Sequence, residues 1–228
     1  MKTITEKSDV DLKNDVLAEL KYEPSVNVTD IGVLVKDGTV TLNGFAGNYA
    51  EKCGALRAAK RVGGVNGIAD DIEVRLWDTF KRTDGDIASA AANQIKWFTA
   101  LPNGTTGVTV SNGWITLEGE VDWYFQKTRA EDAVQFLAGV KGITNQITIK
   151  KTAPSGDVAS AIESAFERSA LLDSGKVRVE ASGSKVTLTG EVRTFAEKEE
   201  AERIAWAAPG VWSVDNGIDV KRSWDPFG

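Results

Sequence analysis

Apolar and polar residues alternate with period two in short runs and recur every four residues in longer ones, and the same succession of runs occurs three times. VTLNG at 40–44, ITLEG at 115–119 and VTLTG at 186–190 each read as a strand with two aliphatic residues on one face and threonine on the other. Each ends in glycine: Gly44, Gly119 or Gly190. Twenty residues later stand Gly64, Gly139 and Gly210, each followed by valine. Thirty-three residues before the first glycines stand Asp11, Asp86 and Asp157, each followed by an aliphatic residue. The copies align from aspartate to second glycine without a gap, which is the mark of a tandem array.

Each copy predicts the order αββαβ. The aspartate is expected to cap the first helix, whose apolar residues fall on one face: Leu12, Val16, Leu20, then Ile87, Ala91, Ile95, then Val158, Ile162, Phe166. Alternating segments at 33–35, 108–110 and 177–179 lead through Asp37-Gly38, Asn112-Gly113 or Ser182-Gly183 into the threonine strand, a β-hairpin pattern. A second helix is expected at about 49–62, 124–137 and 195–208, with Ala55, Ala130 and Ala201 allowing close approach to the sheet. Gly64, Gly139 and Gly210 would end it in the left-handed conformation. A last strand places Ile72 and Val74, Ile147 and Ile149, or Ile218 and Val220 inward. The fold class is therefore α+β: three tandem αββαβ modules at 1–77, 78–150 and 151–228, each a three-stranded mixed sheet with two helices on one face.

Composition narrows the chemistry. The 228 residues are 42% hydrophobic and 26% charged, as in ordinary globular proteins. A net charge of −6 repels polyanions, and basic residues cluster no further than pairs such as Lys81-Arg82, so no nucleic-acid partner is expected. There is no histidine and one cysteine, Cys53, which removes the usual general base and the usual zinc ligands. Carboxylates such as Glu118, Glu120, Asp70 and Asp71 recur in no matched constellation. No catalytic residue, metal or cofactor is expected, and the chain reads as a non-enzyme. Residues 1–24 lack an apolar leader core, which predicts a cytoplasmic protein, or a periplasmic one if a signal segment has been removed.

The threonine strand with its glycine, the following alanine-bearing helix ending in Gly-Val, and the Asn before the last strand (Asn145-Gln146-Ile147, Asn216-Gly217-Ile218) resemble the BON domain. The resemblance extends over all three copies, with Asp70 in place of Asn in the first. The second copy, containing NGWITLEGEVDWYFQ, is most similar to three-BON proteins described as transport-associated. What the resemblance implies is a non-enzymatic module linked to osmotic or envelope stress that binds phospholipid or another hydrophobic surface. The alternative is a structural or chaperone-like protein-interaction scaffold.

Aromatic residues mark where the copies diverge. Trp97, Phe98 and Leu101, beside Lys96, correspond to the less apolar Tyr22, Glu23 and Val26 or Arg168, Ser169 and Leu172. Trp123 and Phe125 correspond to Asn48 and Ala50 or Thr194 and Ala196, whereas Tyr124 is matched by Tyr49 and Phe195, a shared structural column. Large aromatics next to a lysine suit a membrane headgroup boundary. They equally suit docking between repeats, as would Trp77, Trp212, Trp224 and Phe227. A membrane phospholipid surface or a protein partner requires Trp97 or Trp123 to be exposed in the free protein, whereas a scaffold buries both. A monomer is favoured.

Overall fold

The computed structural model describes residues 7–97, 106–152 and 156–221. The first copy comprises α1 (Asp9–Tyr22), β1 (Ile31–Lys36), β2 (Thr39–Ala46), α2 (Tyr49–Arg61) and β3 (Gly67–Val74). The second comprises α3 (Asp84–Trp97), β4 (Thr106–Ser111), β5 (Trp114–Val121), α4 (Tyr124–Val134), β6 (Gly142–Asn145) and β7 (Thr148–Ile149). The third comprises α5 (Val158–Arg168), β8 (Val177–Ser182), β9 (Lys185–Val192), α6 (Phe195–Ala207) and β10 (Ser213–Val220). The threefold αββαβ order is present; in the second copy Gln146 and Ile147 interrupt the last strand.

In every sheet the threonine strand is central: β1-β2-β3, β4-β5 with β6 and β7 both on β5, and β8-β9-β10. The hairpins are antiparallel and in the same register, Val33 opposite Leu42, Val108 opposite Leu117 and Val179 opposite Leu188. The last strand runs parallel to the central one in the second and third copies, which requires the helical crossover between them. The sheets are therefore mixed. Val40 and Leu42, Ile115 and Leu117, Val186 and Leu188 are buried, together with the four-residue apolar columns of α1, α3 and α5. Thr41, Thr116 and Thr187, on the opposite face, are half-buried.

The chain forms two compact units. One contains residues 1–44, 53–72 and 152–228, so the first and third repeats lie together in it; the other contains 45–52 and 73–151. Within the first unit Lys60 of α2 is ion-paired with Glu199 of α6. Within the second, Tyr49 packs against the core formed by Ile87, Ala91, Ile115, Leu117 and Ala130. Tyr49 thus serves the second repeat's core, although it aligns with Tyr124 and Phe195.

The expectation that each aspartate caps its helix holds only for Asp157, which accepts from the Ser160 amide. In α1 the cap is Ser8, whose hydroxyl accepts from the Asp11 amide at 3.1 Å and donates to the Asp11 carboxylate. In α3 the cap is Thr83, which exchanges the same bonds with Asp86. Asp86, which also accepts the Thr83 amide, is therefore the reciprocal partner of a capping box, and Asp11 at the matched position returns its carboxylate to the Ser8 hydroxyl alone. The first helical residue is then free to bind elsewhere. Asp9 accepts the amides of Asp37 and Gly38, and Asp84 those of Asn112 and Gly113, all at 2.8–3.0 Å. A helix-borne carboxylate thus clamps the hairpin turn in both copies. In the third hairpin the turn residues are Gly183 and Ser184, one position later than Ser182-Gly183.

The glycine two residues before the end of the central strand has a specific cause. Gly190 has φ +128°, and a β-carbon there would lie 2.1 Å from the Lys176 carbonyl oxygen; Gly44 has φ +110° and the same 2.1 Å approach to the Asp30 oxygen. Each central strand passes the first residue of its hairpin partner here, at a point where no side chain fits, and runs on for two more residues.

Candidate functional site

The second repeat's helices bring its divergent aromatics to one end. Helices α3 and α4 pack against each other, and Gly139, just past α4, abuts Ile87 in the first turn of α3, where an added β-carbon would come 2.7 Å from the isoleucine Cδ1. The helices therefore run antiparallel. Lys96 and Trp97 at the end of α3 consequently lie at the same end of the module as Trp123, Tyr124 and Phe125 at the start of α4. Trp97 is 80% exposed, Phe125 52% and Trp123 41%, and Lys96 is exposed as well. Phe98 and Leu101, expected to belong to this group, lie outside the described residues.

The start of α4 is built differently from its counterparts. In α2 the Asn48 side chain accepts from the Glu51 amide at 2.9 Å, and in α6 the Thr194 hydroxyl accepts from the Glu197 amide at 3.0 Å. Trp123 occupies this capping position in α4 and has no side-chain acceptor to offer. The opposite half of the arrangement survives: buried Gln126 accepts the amides of Asp122 and Trp123, both at 3.0 Å. An asparagine or threonine here stabilises a helix by about 1 kcal/mol relative to a residue that cannot cap. The second repeat thus forgoes a cap and displays an indole instead.

Charge around this helix is mixed. Asp122 pairs with Lys150 at 2.9 Å, which raises the lysine's pKa. Burial holds the Lys127 ammonium below the ordinary lysine range, opposed by Glu131. The matched Lys198 donates to the Ile218 carbonyl at 2.7 Å, so a lysine at this helix position has a structural use in the third copy.

Other aromatics are placed by the fold itself. Trp114, which the sequence pattern does not single out, lies over Gly142 on the helix-free face of its sheet and donates from Nε1 to Thr144 at 2.8 Å. Trp212 is covered by the Lys185 ammonium. Trp77, Phe80 and Phe136 are exposed, and Trp224 and Phe227 lie outside the described residues. Cys53 is half-buried. Among the described residues no group of three or more His, Cys, Asp or Glu side chains is placed to hold a metal ion, and no helix is long and apolar enough to cross a membrane.

Comparison with known proteins agrees with the threefold architecture. Over 139 residues, 59% of this chain and 69% of the relative, the chain is 31% identical to osmotically-inducible protein Y of Escherichia coli (strain K12). Solved structures match weakly. CdsD, a structural protein of the type III secretion system of Chlamydia trachomatis, is 14% identical over 91% of each chain with a TM-score of 0.26. The PrgH periplasmic domain is 11% identical over 91% of this chain and 99% of its own, with a TM-score of 0.21. Residues 8–75, 83–151 and 155–222 each match the BON domain, so the chain belongs to the BON-domain family, with one domain for each αββαβ repeat.

Proposed function

We propose that this chain is a non-enzymatic protein of osmotic or envelope stress that uses the aromatic end of its second BON domain to engage a phospholipid surface. The stress setting rests on the likeness to osmotically-inducible protein Y. The observation that carries the surface role is Trp123. It stands where both counterparts carry a helix-capping side chain, it supplies no cap, and it is exposed beside Phe125 at the end that also presents Trp97 and Lys96. An exposed indole at a position that favours a small polar residue is a stability loss that a binding role offsets. Indole and phenyl groups partition into the headgroup boundary, and lysine meets phosphate there.

The test is co-sedimentation with vesicles of neutral phosphatidylcholine and of phosphatidylcholine mixed with phosphatidylglycerol, read together with tryptophan emission. The expected result is association with a blue shift that is lost in a Trp97→Ala, Phe125→Ala variant. If neither vesicle binds and the aromatic variant behaves as the parent, the surface serves a protein partner and the scaffold reading takes its place.

A further inference from the structure

We propose that the compact unit containing the second repeat carries a separate anion-binding cleft, at the end of that repeat opposite its aromatics, that takes a phosphate-bearing ligand. An open cleft of about 650 Å³ lies where β3 and the segment after it meet the start of α3 and the β4–β5 turn. Arg75, Lys81, Arg82 and Lys141 line it, with Glu73 and Asp84 as the acidic groups. Four cations in one cleft stand out in a chain whose net charge is −6.

The acids there are largely committed. Asp84 accepts the Asn112 and Gly113 amides at 2.8 Å each, so its charge is already met by backbone donors. Glu73 faces Arg75 at a long 3.5 Å, with both side chains well exposed, a geometry that contributes little. The cations are also held in place. Lys81 pairs with Asp78 at 2.6 Å, but both side chains are well exposed, so the pair is open to exchange for a ligand anion. Arg82 donates through Nη1 to the Thr79 and Lys81 carbonyls at 3.0 and 2.8 Å, which leaves the other guanidinium donors available. Arg75 stacks on Phe45 at 3.1 Å from the ring centre. The Lys141 stem lies over Gly113, with its Cγ and Cδ 3.2 and 3.3 Å from where a β-carbon would stand. Lys141 has no acidic partner among the described residues. Guanidinium and ammonium groups converging on one hollow match a tetrahedral oxyanion.

The cluster is not a general feature of the module: Arg75, from the end of the first repeat, joins Lys81, Arg82 and Lys141 of the second. In the third copy Trp212 takes the place of Lys141 and Lys185 that of Trp114, and there the lysine is spent on the indole face at 5.2 Å. In the second copy the indole covers Gly142 instead, and the lysine lies over Gly113 at the cleft. The first copy has Asn66 at the position of Lys141.

The inference stands apart from the aromatic surface and is tested apart from it. Binding of sn-glycerol 3-phosphate is measured by calorimetry at low salt, and binding of phosphatidylglycerol-containing vesicles by co-sedimentation. Both use the full chain, a Lys81→Gln, Lys141→Gln variant, and a control of equal charge, Lys13→Gln, Lys21→Gln, whose lysines are exposed on the first helix. The expected result is saturable binding that the cleft variant weakens about tenfold or more while the control changes it less than about twofold, tenfold being about 1.4 kcal/mol. Loss in the soluble arm identifies a free phosphate ligand, loss in the vesicle arm alone identifies a lipid headgroup, and either supports the cleft. No binding in either arm, or equal weakening by the control, overturns it. Binding of the soluble phosphate should persist in the Trp97→Ala, Phe125→Ala variant, so failure of the aromatic surface leaves this result intact.

Discussion

The side-chain oxygen of Gln126 accepts the backbone N–H of Trp123 at 3.0 Å, and Trp123 returns nothing to Gln126 from its own side chain. Asn48 with Glu51 and Thr194 with Glu197 show what a capping side chain supplies at this position: an acceptor for the amide three residues on. Replacing Trp123 by threonine restores that acceptor. The Trp123→Thr variant should therefore gain about 1 kcal/mol in the stability of α4, measured by urea unfolding with hydrogen exchange of the helix amides. It should lose vesicle association in the same preparation. A gain in stability with unchanged association would remove Trp123 from the surface, and a loss of stability would make its indole a packing residue.

Gly190 and Lys176 make the second prediction. An alanine β-carbon at Gly190 would sit 2.1 Å from the Lys176 carbonyl oxygen, and the backbone φ of +128° lies in a region that side chains rarely adopt. The obstacle is main chain at the start of β8, so no side chain can turn aside. Gly190→Ala should destabilise the third repeat by roughly 2 kcal/mol or more, and Gly44→Ala should do the same in the first, since strain at such positions and a displaced strand add together. Gly183→Ala is the comparison: it also has positive φ, but a β-carbon there meets nothing within 4 Å, so its loss should be smaller. Thermal or urea unfolding of the three variants ranks them.

The repeat is legible in the sequence because its markers are tied to backbone geometry. The strand-end glycines recur since only glycine fits beside Asp30 and Lys176, and the aliphatic pairs Val40 and Leu42, Ile115 and Leu117 recur since one face of the central strand is buried. The caps lie three residues before Asp11 and Asp86 because a polar side chain stands at both ends of that first turn, and the pattern does not say which of the two caps. Tyr49 aligns with Tyr124 and Phe195 but packs on the second repeat's core, since alignment fixes a residue's place in its module and not the module it meets. At the aromatic end, divergence between copies picks out Trp97, Trp123 and Phe125, whereas their exposure becomes visible only once the antiparallel helices are in place. The cationic cleft is not legible, because Lys141 is distant in sequence from Arg75, Lys81 and Arg82, and the pair Lys81-Arg82 alone looks ordinary.

Acid should weaken the helix starts. The carboxyls of Asp86 and Asp157 are held below the ordinary aspartate range, chiefly by the hydroxyls of Thr83 and Ser160 and then by the backbone amides they accept. A group with a lowered folded-state pKa binds its proton less readily in the folded chain. Its stabilisation is therefore complete above the unfolded value of about 3.9 and is lost as pH falls below it through the folded value. In the Asp157→Asn variant an amide oxygen still accepts the Ser160 N–H and does not titrate. Stability measured at pH 7 and pH 3 should fall less steeply in that variant than in the parent; equal slopes would show that the Asp157 carboxylate contributes nothing to the acid limb.

The last prediction concerns a pair of positions that changed together between copies. Asn216 donates to the Lys198 carbonyl and to the Glu202 carboxylate, both at 3.1 Å, and its oxygen accepts the Ile218 amide at 3.3 Å. Asn145 repeats the arrangement with Lys127, Glu131 and Ile147. In the first copy Asp70 keeps the acceptor half, taking the Ile72 amide at 3.2 Å, but a carboxylate has no donor for a glutamate, and Leu56 stands where Glu131 and Glu202 stand in the others. Asparagine with glutamate and aspartate with leucine are thus two self-consistent solutions, and a mixture of them sets two carboxylates against each other. Asn216→Asp alone should destabilise the third repeat by about 1–2 kcal/mol through a lost donor and a new repulsion. Glu202→Leu added to it should recover part of that loss, giving a coupling of about 1 kcal/mol in a double-mutant cycle followed by urea unfolding. Strict additivity of the two changes would mean that the covariation between copies has another cause.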